Sequence, residues 1–97
     1  MQAVAAKLAA KGVLVRCAYL ELEEPALAAA ADEVMHAGAR IVTIVPMFLG
    51  TGRHAREDLP ALVAQLRAAH HNVAFRLQAA VGEDERVLEL LASIALE

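Results

Sequence analysis

The sequence predicts an α/β fold, a parallel sheet with helices on its faces. Two observations predict it. Helical segments alternate with short β-branched runs in the order α-β-α-β-α-β-α, which is the pattern of parallel strands joined by crossover helices. Residues 41–45 (IVTIV) form a nearly continuous apolar run, which suits a parallel strand covered on both faces. A length of 97 residues leaves room for one core and therefore one domain.

Residues 1–11 are expected to be helical, because Val4, Leu8 and Lys11 fall at helical spacing and alanine fills the rest. Gly12 is a natural stop. Residues 13–20 (VLVRCAYL) have the β-branched content and the length of a strand. Pro25 suits the first turn of a helix over 25–37, which Gly38 ends. The strand at 41–45 runs into a Gly- and Pro-bearing loop, 46–56. Asp58 and Pro60 then open a helix to about His70, and 73–77 is a third strand. Gly82, Glu83 and Asp84 lead into a last helix ending near Leu96, with Glu83 and Asp84 as capping and dipole residues. Its apolar positions Val87, Leu88, Leu90, Leu91 and Ile94 are core or interface. An opening helix is unusual for this class, which normally starts on a buried strand.

Composition excludes several functions. Fifty-nine per cent of the chain is apolar, 23 residues are alanine and the net charge is −3, so the chain is not of the disordered class. Nine basic residues against 12 acidic ones, with three aromatics, give neither a basic nucleic-acid surface nor a base-stacking platform. The single cysteine, Cys17, cannot form an intrachain disulfide and is expected as a small core residue. The longest charge-free apolar run, 41–52, is interrupted by Pro46, Gly50, Thr51 and Gly52, far short of the roughly 20 residues of a spanning helix. The first residues lack the basic start and apolar block of a signal peptide, so a cytoplasmic protein without membrane partners is expected.

In open α/β sheets, ligands bind beyond the carboxyl ends of the strands. Three loops qualify: 21–24, 46–58 and 78–84. Together they would bring Glu21, Glu23, Glu24, Arg53, His54, Arg56, Glu57 and Glu83 to one edge. The second loop holds Gly50-Thr51-Gly52-Arg53-His54-Ala55. As a dinucleotide fingerprint this is poor, since four residues separate it from the strand and no acidic residue follows at the required distance. His54, flanked by Arg53 and Arg56, is the leading candidate. Neutral imidazole suits cobalt, nickel and ferrous ions and exchanges protons near neutral pH. Glu21, at a strand end, could ligate a metal or accept a proton. Arg53 and Arg56 could hold an anionic ligand through forked donors. His36, His70 and His71 stand at helix C-termini, where the dipole favours a cation.

The stretches AYLELEEPAL (18–27), VPMFLGTGRHAREDLP (45–60) and VGEDERVLELL (81–91) resemble the small class II tetrapyrrole chelatases, in particular the CbiX-type sirohydrochlorin cobaltochelatases. The likeness runs from about residue 4 to 95, and its specific part is P-x-F-L-x-x-G-x-H-x-x-x-D-L-P. It implies a three-layer, doubly wound chelatase-like fold and a cytoplasmic enzyme. That enzyme would insert a divalent metal, Co²⁺ first and Fe²⁺ or Ni²⁺ otherwise, into sirohydrochlorin in cobalamin or sirohaem synthesis, as a homodimer with no organic cofactor. His54 matches a metal-site histidine of the family. Glu21 matches the acidic residue of its F-L-E-L segment, with Tyr19 where the family has phenylalanine. His54 and Glu21 are then the catalytic and metal residues. Arg53 and Arg56, by charge, and Gly50 and Gly52 in the same loop are the substrate-binding candidates. The family opens with a strand and an H-G-S loop whose histidine, the family's other metal and catalytic residue, has no match in this sequence, so residues 1–97 alone are expected to be weak or inactive, with half of the metal site lost. Residues 1–97 are therefore expected to be a single CbiX-like domain, N-terminally truncated, whose missing strand would lie centrally, between 13–20 and 41–45. A non-catalytic metal- or tetrapyrrole-binding module is the alternative reading.

Overall fold

The computed structural model describes residues 2–19, 25–49 and 53–97, with the backbone alone for 53–56. In chain order the elements are α1 (Gln2–Ala10), α2 (Leu27–His36), β1 (Ile41–Ile44), α3 (Arg53–Ala69), β2 (Ala74–Leu77), a 3-10 turn (Val81–Glu83) and α4 (Glu85–Ala95). The expected α/β class is present. β1 and β2 pair in parallel, Ile41 opposite Ala74 and Ile44 opposite Leu77, with α3 as the crossover.

The core follows from spacing. Leu59, Val63 and Leu66 recur at i, i+4 and i+7, so they share one face of α3. They are buried together with Ile44 of β1, Phe75 of β2 and Ala31 of α2. Val42 and Leu77 pack against this cluster. A strand alternates its side chains, so the intervening Ile41, Thr43, Ala74 and Arg76 face the other way, and all four are exposed. The described sheet thus has one covered face, and the expectation that 41–45 is covered on both is corrected. The physical reason lies in α1 and α4: neither buries a residue. The radius of gyration, 14.6 Å, exceeds the about 13 Å of a compact chain of this length.

The strand expected over 13–20 forms no ladder among its described residues, 13–19. Residues 13–18 carry no regular structure, and Tyr19 makes only an isolated bridge to Ala26. A strand exists only through a neighbour, and β1 has a single ladder neighbour, β2, among the described residues. β-Branched composition alone therefore did not make a strand. Cys17 in this segment is half-buried rather than core.

The stops behave as expected. Gly12 and Gly38 take positive φ, 82° and 103°, just past α1 and α2. α2 begins at Leu27, two residues after Pro25, so Pro25 precedes the first turn instead of occupying it. α4 begins where Asp84 caps it, its side chain accepting from the Arg86 N–H at 2.8 Å. Of the α4 apolar residues, Leu88, Leu90, Leu91 and Ile94 are exposed and Val87 is half-buried, so none of the five is a buried core residue.

Candidate functional site

The carboxyl ends of the two strands carry a stitched pair of loops. The Gln78 N–H donates to the Ile44 carbonyl oxygen at 3.0 Å, one step beyond the ladder. The Val81 N–H then donates to Pro46 O and the Gly82 N–H to Phe48 O, each at 2.9 Å. Pro46 is buried and Phe48 packs on the core, so this seam is anchored from below. Gly82 has no room for a side chain. A Cβ there would stand 2.6 Å from the Leu49 carbonyl carbon and 2.7 Å from Phe48 O. The second and third of the three expected loops are thereby brought together. In sequence terms Gly82 looked like a mere lead into α4, and its tight contact was missed. A glycine a few residues after a strand was the only signal available.

From this seam the chain passes to α3. The sequence placed 46–56 in a loop with a helix starting near Asp58. The helix instead starts at Arg53, and Pro60 lies inside it. Arg53, His54 and Arg56 therefore stand on its first turn, not in a loop. Arginine, alanine and glutamate are strong helix formers, and Glu57 and Asp58 sit near the positive end of the dipole. These preferences outweigh the tendency of proline to mark a first turn. A helix start bearing arginines offers backbone N–H groups and positive charge to an anion. Glu21, Gly50 and Gly52 lie outside the described residues, as do Glu23 and Glu24. The chain around the first loop closes on itself, with the Tyr19 N–H donating to Pro25 O at 3.0 Å.

Beside the seam, an open cleft runs along residues 78–81 and the start of α4. Two of its charges engage each other. The Arg86 guanidinium forks onto Asp84, Nε to Oδ1 at 3.0 Å and Nη2 to Oδ2 at 2.7 Å. The side-chain hydrogen bond from Arg86, reinforced by its backbone N–H, pulls the Asp84 carboxyl down to about 2. The same pairing raises the Arg86 pKa. Glu83, at the end of the 3-10 turn, is exposed at the same edge.

The other histidines have structural surroundings. His36 ends α2, with Nδ1 2.8 Å from Asp32 O. His70 follows α3, its Nε2 3.9 Å from Asp32 Oδ1 and its ring tilted on Phe75 at 6.2 Å between centroids. His71 follows in the turn after α3 and is exposed. Among the described residues no group of three or more His, Cys, Asp or Glu could hold a metal ion. Nor is any helix among them long and apolar enough to cross a membrane.

Comparison with known proteins then bears on this arrangement. The chain is 27% identical over 78 residues to a protein named sirohydrochlorin cobaltochelatase from Sulfolobus acidocaldarius, covering 80% of this chain and 61% of that protein. It is 30% identical over 78 residues to the chloroplastic sirohydrochlorin ferrochelatase of Arabidopsis thaliana, covering 80% of this chain and 35% of that one. The chain thus spans less than two thirds of the length of these relatives. The crystal structure of a CbiX protein from Marinobacter aquaeolei superposes with a TM-score of 0.71 at 33% identity, covering 97% of this chain and 81% of that one. The cobalt complex of the sirohydrochlorin chelatase SirB from Bacillus subtilis subspecies spizizenii gives 0.70 at 26% identity, covering 95% and 42%. The CbiX family model matches residues 1–97, and the chain belongs to the CbiX family.

Proposed function

We propose that this chain inserts a divalent metal into sirohydrochlorin, as a chelatase of the lyase class. The observation that carries the reading is agreement among relatives. Those named for cobalt and those named for iron share one tetrapyrrole, sirohydrochlorin, and match this chain over 70–81% of its length. The metal is a substrate here, with Co²⁺ the first choice and Fe²⁺ or Ni²⁺ the alternatives. We further propose that residues 1–97 form a single domain, working as a homodimer in the cytoplasm.

The chemistry asked of the site is limited. Sirohydrochlorin must lose two pyrrole N–H protons as M²⁺ enters and its four nitrogens become ligands. A neutral imidazole and a carboxylate can each accept a proton and release it to solvent. His54 and Glu21 take these roles and hold the incoming metal. Arg53, Arg56 and the first N–H groups of α3 meet the carboxylates on the rim of the macrocycle. Gly50 and Gly52 let the backbone approach the ring.

An anaerobic absorbance assay with sirohydrochlorin and Co²⁺ tests the reading. The chain is expected to convert the free tetrapyrrole spectrum to that of the cobalt complex above the uncatalysed rate, with His54→Ala at least tenfold slower. Equal rates for the two would remove His54 from the mechanism. Metal binding with no conversion would leave a binding module in place of an enzyme.

A further inference from the structure

We infer that Gly82 is a positioning residue for the metal site, acting through the backbone of 46–49 on the start of α3. The inference rests on the proposed role of His54. Three observations carry it. The Val81 and Gly82 N–H groups clamp Pro46 and Phe48 at 2.9 Å each. A side chain at 82 would run into the Leu49 carbonyl group and Phe48 O, all backbone atoms that cannot rotate away. The clamped residues stand between β1 and α3, whose first turn carries His54. The fixed points on either side are strong. Ile44 is buried at the end of β1, and Leu59 and Val63 anchor α3 in the same core. Between these anchors, the described residues 46–49 are held by the seam to Gly82. A misplacement of about 1 Å at a reacting centre can cost a factor of about 100 in rate.

Gly82 differs in kind from the other two described glycines. Gly12 and Gly38 take positive φ and have open space around the missing Cβ. They are required by conformation. Gly82 is required by contact, which makes Gly38→Ala a matched control: it strains a helix stop and touches nothing near 46–49.

The test compares Gly82→Ala, Gly38→Ala and the unaltered chain by three readouts. The first is amide hydrogen exchange of the unaltered protein. The Val81 and Gly82 N–H groups should be protected at least tenfold relative to the exposed Asn72 amide, and exchange as fast as Asn72 would overturn the inference without any variant. The second is the NMR chemical shifts of the His54 ring at fixed pH, which need no metal. Gly82→Ala should move its ring resonances, while Gly38→Ala leaves them in place. The third is Co²⁺ affinity, expected to fall at least tenfold in Gly82→Ala and less than twofold in Gly38→Ala. Unchanged His54 resonances in a folded Gly82→Ala, or equal changes in both variants, would defeat the positioning role. If the unaltered chain binds no Co²⁺ but its His54 resonances still move in Gly82→Ala alone, the positioning stands and the chelatase reading fails.

Discussion

The Arg67 guanidinium of α3 donates through Nη2 to the Phe75 carbonyl oxygen of β2 at 3.0 Å. Ala74 N donates to Arg40 O and Gln78 N to Ile44 O, so the even-numbered residues of β2 pair toward β1. The polar groups of Phe75 therefore point to the outer edge, and Arg67 satisfies a carbonyl that the sheet leaves open. Arg67→Met keeps the apolar stem and removes the donor. The expected loss is about 1 kcal/mol, below the usual value for a charged donor because the side chain is largely in water. Urea unfolding should show a lower midpoint at an unchanged slope. An unchanged midpoint would mean that water replaces the bond at no cost.

Two aliphatic truncations should separate core from surface. Val63 is 1% exposed at the centre of the cluster, whereas Leu90 on α4 is 61% exposed. Val63→Ala removes two methyl groups and leaves a cavity, at a cost of about 2 kcal/mol. Leu90→Ala, although it removes more carbon, should stay within about 0.5 kcal/mol in the isolated monomer. If dimerisation covers α4, the Leu90 variant should instead show a stability loss that grows with protein concentration. Denaturant melts at two concentrations read both effects.

The alternation of helices and strands is legible because helix boundaries carry their own chemistry: the stops at Gly12 and Gly38 and the start at the Asp84 cap all lie where the sequence puts them. The α3 stripe of Leu59, Val63 and Leu66 lies in the core as its spacing requires. Residues 13–20 were misread because strand formation depends on a neighbour, which no local composition reports. The helix start before Asp58 is not legible because Pro60 signals a first turn, while residues 53–57 extend the helix ahead of it. For the site, the sequence singled out His54 with its flanking arginines, but not that they begin a helix. The seam at Gly82 was invisible because a steric limit from a distant backbone leaves no pattern along the chain.

Acid should act on α4 through Asp84. Its carboxyl lies at about 2 in the folded chain against 3.8 for the unperturbed group. A lowered native value means that the unfolded state binds the proton more readily, so the stabilisation is full above about pH 4 and is lost as pH falls toward 2. Asp84→Asn retains a capping oxygen for the Arg86 N–H but cannot titrate. The unaltered chain should therefore lose helical circular dichroism between pH 4 and 2 more steeply than the variant. Superimposable acid limbs would show that other carboxylates govern that range.

Pro60 sets stability against site geometry. It stands within α3, four residues after Arg56, and has no N–H to give to the Arg56 carbonyl. The bond is missing between the first turn, which bears Arg53, His54 and Arg56, and the stripe that begins at Leu59. Pro60→Ala restores the donor and removes the clash of the ring with the preceding turn, effects worth up to about 3 kcal/mol in a helix interior. Part of this gain is offset because alanine leaves the unfolded chain freer. A net rise of about 1–2 kcal/mol is expected, seen as a higher Tm. The same change ties the first turn to the packed stripe through a bond that Pro60 denies it. On the proposed function, metal insertion should then slow several-fold in a protein that is more stable than its parent. A variant both more stable and as fast would show that the start of α3 can follow the helix axis without disturbing the site. One that is less stable would show that the missing bond at Arg56 is satisfied by other means.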